Sequence, residues 1–151
     1  MTRSAAGALV AEVTSALGVR TGDAVVGIGI DAVDIDRFRT VLDRRPRLTR
    51  RLFTDGERRY ADLAPDPVPR LATRFATKEA VLKALGLGLG AFPFHDVEVV
   101  RTGLDAPTVV LHGAADRAAR AAGATRWHLS LTHTDLVALA AVVASGDRAD
   151  R

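Results

Sequence analysis

The sequence predicts an α+β fold in which helices pack on a small, mainly antiparallel sheet. Two segments are decisive: residues 70–85 have a strong helical periodicity, and residues 127–132 alternate strictly between apolar and polar side chains. After a first helix, the predicted order is a strand, a group of helices, two strands, a helix and two strands, which is typical of an α+β domain. With 151 residues, of which 48% are apolar, we expect one domain with one sizeable core.

A helix and a buried strand are predicted at the start of the chain. Residues 5–17 carry apolar side chains at helical spacing and are followed by Gly18, so we expect a short amphipathic helix. Residues 25–30 are apolar or glycine throughout and are too few for a helix. We therefore expect a buried strand there, ending at Asp31.

Helices are predicted in the middle of the chain. One begins at Asp34 and is limited by Pro46, and the next begins at Thr54, which opens a capping-box pattern. The strongest, residues 70–85, is followed by Gly86 and is apolar or small around most of its circumference. A helix of that kind is buried on most sides.

The second half of the chain is predicted to hold four strands and one helix. The strands cover residues 97–101, 108–111, 127–132 and 136–143, and an alanine-rich helix covers residues 114–122. The last residues, 145–151, are polar, so we expect a frayed tail.

The composition excludes several classes of function. The chain has no cysteine, which excludes a disulfide framework, a thiol nucleophile and a thiolate metal site, and which fits a cytoplasmic location. No apolar run approaches the ~20 residues of a membrane-spanning helix, so we expect no membrane partner. The net charge of +3 is a mild basic bias that suggests anionic partners without supporting nucleic acid. Hydrolase and zinc-site motifs are missing from the sequence.

The two lysines of the chain lie close together on the strongest predicted helix. Lys78 and Lys83 stand on either side of Glu79, and every other Lys or Arg position holds arginine. Together with Arg74, they give this helix a surplus of positive charge beside a carboxylate, which is what binding a phosphoanion needs. Two simpler alternatives stay open: Glu79 and Lys83 form an i, i+4 ion pair, and Arg70 and Arg74 lie on solvated faces of the helix.

A second carboxylate, Asp31, follows the predicted buried strand directly. A hard cation such as Mg²⁺ takes one or two carboxylates together with substrate phosphates and waters, so Asp31 is a candidate ligand. The alternative is that Asp31 caps the next helix, because aspartate is a favoured N-cap residue. His133, at the end of a predicted strand, is likewise either a phosphate donor or a turn residue.

Three blocks of the sequence carry a family resemblance. They are GIGIDAVDIDR at residues 27–37, RFATKEAVLKALG at residues 74–86 and LSLTHT at residues 129–134. In this order they resemble the holo-acyl-carrier-protein synthases, the small group of 4′-phosphopantetheinyl transferases. The match runs from about Val25 to Ala144, with one departure: Asp105 stands where the family usually has the glycine of a Gly-x-Pro turn.

The resemblance implies an activity. That activity is transfer of the 4′-phosphopantetheine arm of coenzyme A to a serine of an apo acyl carrier protein, with Mg²⁺ and with release of adenosine 3′,5′-bisphosphate. The resemblance also implies a homotrimer with active sites shared between subunits, and a place in fatty acid biosynthesis and lipid metabolism. It leaves open whether the carrier serves fatty-acid, polyketide or peptide synthesis, and whether acylated coenzyme A is accepted.

The resemblance also implies catalytic roles. Asp31 and Glu79 would hold Mg²⁺ against the pyrophosphate of coenzyme A, and Lys83 would steady the phosphates and protonate the leaving oxygen. Either carboxylate, directly or through a metal-bound water, would take the serine proton.

Four further residues have implied binding roles. Arg74 and His133 would contact coenzyme A phosphates, and Gly86 would let the backbone approach the cofactor. Arg37 would dock the carrier protein, which is acidic, through an attraction that weakens with salt.

The resemblance divides the chain into three parts. Residues 1–24 are expected to be an N-terminal extension, residues 25–144 the phosphopantetheinyl transferase domain and residues 145–151 a polar tail. The extension is a subunit contact, a leader or the product of an upstream start site. A module that binds carrier proteins without catalysis is the alternative from another class of function, and the presence of Asp31, Glu79 and Lys83 argues against it.

Overall fold

The computed structural model describes residues 23–147. The helix predicted at residues 5–17 and the last four residues of the predicted tail lie outside this range. Within it, no helix is both long enough and apolar enough to cross a membrane.

The α+β prediction is confirmed, with the described strands divided between two antiparallel sheets. The strands are β1 (Asp23–Asp34), β2 (Val97–Val100), β3 (Thr108–Leu111), β4 (Arg126–His133) and β5 (Val137–Asp147). A three-stranded sheet has the order β1, β5, β4, and a two-stranded sheet joins β2 to β3.

Five helices are seen in the same part of the chain. They are α1 (Ile35–Arg44), α2 (Arg47–Leu52), α3 (Asp55–Asp62), α4 (Val68–Ala84) and α5 (Gly113–Ala121), with a 3₁₀ turn at Phe94–Asp96. The short helix α2 was not predicted, because it has only one buried apolar residue, Leu52, and so shows no periodicity.

Local sequence sets the ends of the helices near the site. Asp34 caps α1 by accepting a hydrogen bond from the Arg37 backbone at 2.8 Å. Thr54 and Glu57 form the predicted capping box of α3. Helix α4 starts two residues earlier than predicted, since the missing N–H of Pro69 costs nothing in the first helical turn.

Two predicted strand boundaries were wrong. β1 continues past residue 30 to Asp34, because it pairs with β5 from Asp23 to Asp34, apart from an irregularity at Val26. β5 likewise continues to Asp147, and its residues Ser145 and Gly146 are buried rather than frayed. Pairing with β1 and β4 on both sides holds this end of β5 in place.

Helix α4 lies at the centre of the molecule and separates two apolar clusters. On one side, Ala76, Ala80 and Val81 pack with residues of β5 and α5. On the other side, Leu71 and Ala72 pack with the apolar faces of α1 and α2. Because α4 is packed on both sides, it holds the polar side chains along its edges in fixed positions.

Candidate active site

Two glycines bring β1 against α4. A Cβ on Gly29 would lie 1.8 Å from the Ala80 carbonyl oxygen, and one on Gly27 would lie 1.8 Å from the Ala84 carbonyl oxygen. Because side chains alternate along a strand, Asp31 points to the same face as these glycines. The strand thus delivers the Asp31 carboxylate directly to the side of α4.

Lys83 is the partner of Asp31. Its Nζ donates to Asp31 Oδ1 at 2.8 Å and to the Ile30 carbonyl oxygen at 2.9 Å. The Asp31 side chain is 17% exposed, whereas the Lys83 side chain is 51% exposed. Asp31 and the Ile30 carbonyl oxygen therefore hold the ammonium group in place, while its exposed side can contact an anionic ligand.

Glu79 lines the same concave surface as Asp31 and forms no ion pair with any residue of the part of the chain that the structure describes. Burial raises the pKa of the Glu79 carboxyl, the charge of Asp31 raises it further, and the charge of Lys83 opposes both effects. The expected alternative of an ion pair between Glu79 and Lys83 is wrong, because Lys83 reaches Asp31 instead. Among residues 23–147, Lys83 is thus the ammonium group whose charge acts on both neighbouring carboxylates.

The carboxylate pair is suited to a hard cation that also binds phosphate. Among residues 23–147 there is no cluster of three or more His, Asp or Glu side chains that could hold a metal unaided. Two carboxylates with open coordination positions are, however, the protein share that Mg²⁺ usually takes when substrate phosphates supply the rest. Asp31 and Glu79 meet that requirement, and the alternative of Asp31 as a helix cap is wrong, because Asp34 caps α1.

A concave surface of about 470 Å³ opens beside the two carboxylates. Asp31 and Glu79 line one part of it, and the exposed Arg37 lines another. Between them the wall is apolar, formed by side chains such as Phe38 and Phe75. The predicted docking residue Arg37 therefore lies on the same concave surface as the carboxylates.

The predicted phosphate contacts Arg74 and His133 lie in a different pocket, of about 550 Å³. Arg74 is only 3% exposed, so the alternative of a solvated helix face is wrong. Its Nη1 donates to the Arg70 carbonyl oxygen at 3.1 Å, and burial lowers the pKa of its guanidinium group. His133 is exposed at the end of β4, with Nδ1 3.3 Å from the Thr134 carbonyl oxygen.

This pocket has members that sequence reasoning missed. Tyr60 and Arg101 were not singled out, and Arg70 was treated as a solvated side chain, yet all three line the pocket. Tyr60 comes from α3 and Arg101 follows β2, so their approach depends on tertiary structure. The one local signal is the spacing of Arg70 and Arg74, which places both on one face of α4.

The interpretation of Lys78 as part of an anion-binding cluster needs correction. Its side chain is fully buried and donates to Glu57 Oε2 at 2.8 Å and to the Phe94 carbonyl oxygen at 3.0 Å. Burial lowers the pKa of Lys78, and the charge of Glu57 opposes that effect. Lys78 thus binds groups inside the core, and Lys83 is the lysine that a ligand can reach.

Gly86 ends α4 as predicted. Its φ of +67° is in the left-handed region, and its N–H donates to the Lys83 carbonyl oxygen at 3.0 Å. No atom lies within 4 Å of where a Cβ would be, so the backbone next to Lys83 is open to approach.

Comparison with known proteins identifies the family of this chain. The profile of the 4′-phosphopantetheinyl transferase superfamily matches residues 27–140. A holo-[acyl-carrier-protein] synthase of Frankia alni is 48% identical over 121 residues, which is 80% of this chain and 98% of that protein.

Solved structures agree as well. The holo-[acyl-carrier-protein] synthase of Neisseria meningitidis is 32% identical with a TM-score of 0.73, covering 80% of this chain and 98% of that one. The holo-(acyl-carrier-protein) synthase of Bacillus anthracis in complex with CoA (3′,5′-ADP) is 31% identical with a TM-score of 0.67, covering 82% of this chain and 98% of that one. The chain described here therefore belongs to the holo-acyl-carrier-protein synthases of the 4′-phosphopantetheinyl transferase superfamily and is a phosphopantetheinyl transferase.

Proposed function

We propose that this enzyme transfers the 4′-phosphopantetheine arm of coenzyme A to a serine of an apo acyl carrier protein, with Mg²⁺, and releases adenosine 3′,5′-bisphosphate. The observation that carries the proposal is the meeting of Asp31, Glu79 and Lys83 at one edge of a concave surface. The bound coenzyme A of the Bacillus anthracis relative supports the choice of donor.

In the reaction, the serine oxygen forms a bond to the β-phosphorus of coenzyme A while the bond from that phosphorus to the bridging oxygen breaks. The protein's task is to position the groups and to neutralise charge on the oxygens. Lys83 reaches the phosphates with its exposed ammonium group and gives a proton to the leaving oxygen. The serine proton passes to a carboxylate of the Asp31 and Glu79 pair, or to a water held by it.

Asp31 and Glu79 would hold the Mg²⁺. When bound, the ion supplies Lewis-acid polarisation of the phosphoryl oxygens and compensates their charge. The two carboxylates fit this role because they line the same concave surface, are close enough for the charge of Asp31 to act on Glu79, and share a single ion-pair partner, Lys83, which binds Asp31.

The acceptor would dock at the concave surface that contains Arg37. An acidic carrier protein is drawn to this exposed arginine, while the apolar wall at Phe38 and Phe75 provides contact area next to the carboxylates. Nearby Arg39 is not available for this purpose, because both of its terminal nitrogens bind Asp66, at 3.0 and 2.7 Å.

We propose a homotrimer in which one subunit supplies the carboxylates and its neighbour supplies the phosphate contacts. Asp31 and Glu79 line one concave surface and Arg74 and His133 another, and no residue of 23–147 lines both. The outer face of β1 also exposes apolar side chains, with Ile28 61% and Ile30 56% exposed. Covering this face with another subunit would bury that surface and bring the two half-sites together.

A mass measurement tests the activity. Apo acyl carrier protein is incubated with coenzyme A, Mg²⁺ and the enzyme, and its intact mass is expected to rise by one phosphopantetheine unit. The gain should vanish with a chelator and with Glu79→Gln. A carrier that still binds Glu79→Gln but is not modified by the wild-type enzyme would point to the alternative, a binding module without catalysis.

Subunit mixing tests the shared site. Glu79→Gln and His133→Ala each damage a different half-site, so a mixture that has exchanged subunits should regain transfer activity that neither variant has alone. Light scattering should give three times the chain mass. A monomer with full activity would overturn the shared-site proposal while leaving the transferase activity in place. We also propose a cytoplasmic location, which the lack of cysteine fits.

A further inference from the structure

A groove beside Trp127 lies apart from both concave surfaces of the proposed transfer site. We infer that this groove binds the apolar face of a helix formed by residues 5–17 of the same chain, which precede the part that the structure describes. The groove has a volume of about 280 Å³, and none of its described lining residues lines either of the other two surfaces. The family profile begins at residue 27, so family membership gives residues 5–17 no role.

The groove has an apolar floor that the domain leaves partly uncovered. It lies between β3, α5 and the start of β4. Trp127 and Leu111 pack against the larger apolar cluster but are only partly buried, and Val110 is 38% exposed. At the rim, Arg120 Nε donates to Asp116 Oδ2 at 2.8 Å, so these two charges already compensate each other. An apolar floor with a compensated polar rim suits the apolar face of an amphipathic helix.

The described chain begins beside this groove. Ala24 of β1 pairs with Gly146 of β5, and a Cβ on Gly146 would lie 1.9 Å from the Gly123 carbonyl oxygen, just past the end of α5. Arg126, at the start of β4, donates through Nη2 to Asp23 Oδ1 at 2.6 Å. The start of β1, the end of α5 and the start of β4 therefore meet at one end of the molecule, and the last two of these form walls of the groove.

The chain between the predicted helix and β1 is long enough to reach the groove of the same subunit. Five residues separate Leu17 from Asp23, and an extended chain of that length spans at most about 17 Å. One strand, β5, lies between β1 and β4. Two strand spacings amount to about 10 Å, which the five residues can cross.

The predicted helix has an apolar stripe that requires a partner. With 3.6 residues per turn, Leu9, Val13 and Leu17 follow one another along one side of the helix, and Ser15 lies on the opposite side. Such a stripe is stable only against another apolar surface. Two other exposed apolar faces, on the outside of β1 and on the carrier-docking surface, are already proposed for the neighbouring subunit and for the carrier. The groove beside Trp127 therefore remains for residues 5–17.

Two variants of the full-length chain test the inference. Trp127 is the single tryptophan of the chain, so its fluorescence reports whether the groove is covered. Val13→Asp places a charge in the centre of the apolar stripe, and Ser15→Asp places the same charge on the opposite side. Val13→Asp should move the Trp127 emission to longer wavelengths, increase its quenching by acrylamide and lower the unfolding midpoint by about 4 °C. Ser15→Asp should match the wild type, and identical results for the two variants would overturn the inference.

A variant of the groove tests the same contact from the other side. Val110→Asp places a charge in the floor of the groove, whereas Thr108→Asp places one at an exposed position of β3 that does not line the groove. We expect Val110→Asp to lower the unfolding midpoint more than Thr108→Asp does. Combining Val110→Asp with Val13→Asp should add little to the effect of either variant alone, because both break one contact. Fully additive effects would show that the two positions act separately and would overturn the contact.

Two further measurements distinguish this inference from the other proposals. The acrylamide quenching of wild-type Trp127 should not change on dilution, because the helix and the groove belong to one chain. Quenching that increases on dilution would show that a second copy covers the groove, which would overturn the inference. All four single variants should transfer phosphopantetheine at the wild-type rate, since the groove is separate from the site. If neither the wild type nor the variants transfer while Trp127 responds as expected, the proposed function fails and the helix contact stands.

Discussion

The Nζ of Lys83 lies 2.8 Å from Oδ1 of Asp31, although Glu79 is one helical turn from Lys83 on the same helix. The strand residue is preferred because Gly29 lets β1 approach α4 so closely. In the free enzyme, Lys83 therefore compensates the charge of Asp31 and holds it in place. In the proposed transfer, the exposed side of the same ammonium group would face the phosphates of coenzyme A.

This relationship makes the charge of Lys83 essential to the proposed transfer. Lys83→Gln should lower kcat by about 10²–10³, the loss expected when one preorganised donor to a developing oxyanion is removed. The rate is measured from the intact mass of the carrier at saturating coenzyme A. Carrier binding serves as the control and should be unchanged. A Lys83→Gln enzyme with kcat within twofold of wild type would exclude Lys83 from the chemistry.

Sequence reasoning found these three residues but not their pairing. The i, i+4 spacing of Glu79 and Lys83 is visible in the sequence, whereas the approach of Asp31 depends on the packing of glycine against the Ala80 carbonyl oxygen. Tyr60 and Arg101 were missed for a related reason. Tyr60 lies on α3 and Arg101 follows β2, so only the tertiary structure brings them together in the pocket with Arg74. Their spacing along the chain gives no sign of this contact.

Charge reversal on the concave surface should affect the acceptor more than the donor. Arg37 is exposed and lies on the wall that contains the carboxylates, so Arg37→Glu should raise the KM for an acidic carrier about tenfold. The KM for coenzyme A should change much less. Added salt should reduce the difference in this KM between Arg37→Glu and the wild type, because salt screens the attraction between Arg37 and the acidic carrier. Arg117→Glu, a reversal on α5, is the control, and equal effects on both substrates would remove Arg37 from the docking surface.

The buried ion pair between Lys78 and Glu57 should contribute to stability rather than to catalysis. Lys78→Met leaves the Glu57 carboxylate buried without its cation, which costs about 3–5 kcal/mol for pairs of this kind. Urea unfolding should show that loss as a lower midpoint. The double variant Lys78→Met, Glu57→Gln should recover part of the stability, since no buried charge is then unpaired and the amide oxygen of residue 57 can still accept one of the backbone hydrogen bonds that Glu57 takes from Thr54 and Val99. A single variant as stable as wild type would mean that the core tolerates the lone carboxylate.

The pKa of Tyr60 should reflect the positive charge of the pocket that Arg70, Arg74 and Arg101 line. Burial acts to raise the pKa of the phenol, but the hydrogen bond from Arg101 and the charges of Arg101, Arg70 and Arg74 lower it overall from 10.0. The folded protein thus releases this proton at a lower pH than the unfolded chain does. Between the two pKa values, the free energy of unfolding gains a contribution that grows as the pH rises.

Absorbance near 295 nm measures this directly, because Tyr60 is the single tyrosine of the chain. The midpoint should lie below 10 in the wild type and move upward in Arg101→Gln. Adenosine 3′,5′-bisphosphate should also move it upward, since the bound anion offsets the positive charge. A midpoint unaffected by both changes would show that the arginines do not act on the phenol.

In the fold, as in the site, the features that depend on neighbouring residues were predicted, and those that depend on tertiary contacts were missed. The capping box at Thr54 and the glycine end of α4 depend on neighbouring residues, and both were predicted correctly. The extension of β5 to Asp147 depends on its two neighbouring strands, and polar composition concealed it. Function was predictable because the family blocks contain the carboxylates and Lys83, while the geometry that orients them lies in contacts between distant residues.

The glycine at position 29 offers the sharpest test of that geometry. Gly29→Ala would place a Cβ 1.8 Å from the Ala80 carbonyl oxygen, so β1 must move away from α4. Overpacking of this kind should cost about 2 kcal/mol or more in urea unfolding. Because Asp31 is two residues along the same strand, the shift should also break its contact with Lys83 and reduce the transfer rate. Gly88→Ala, where no atom lies within 4 Å of the new Cβ, should change stability by less than about 1 kcal/mol. If Gly29→Ala retains both stability and rate, the close approach of β1 to α4 does not set the site.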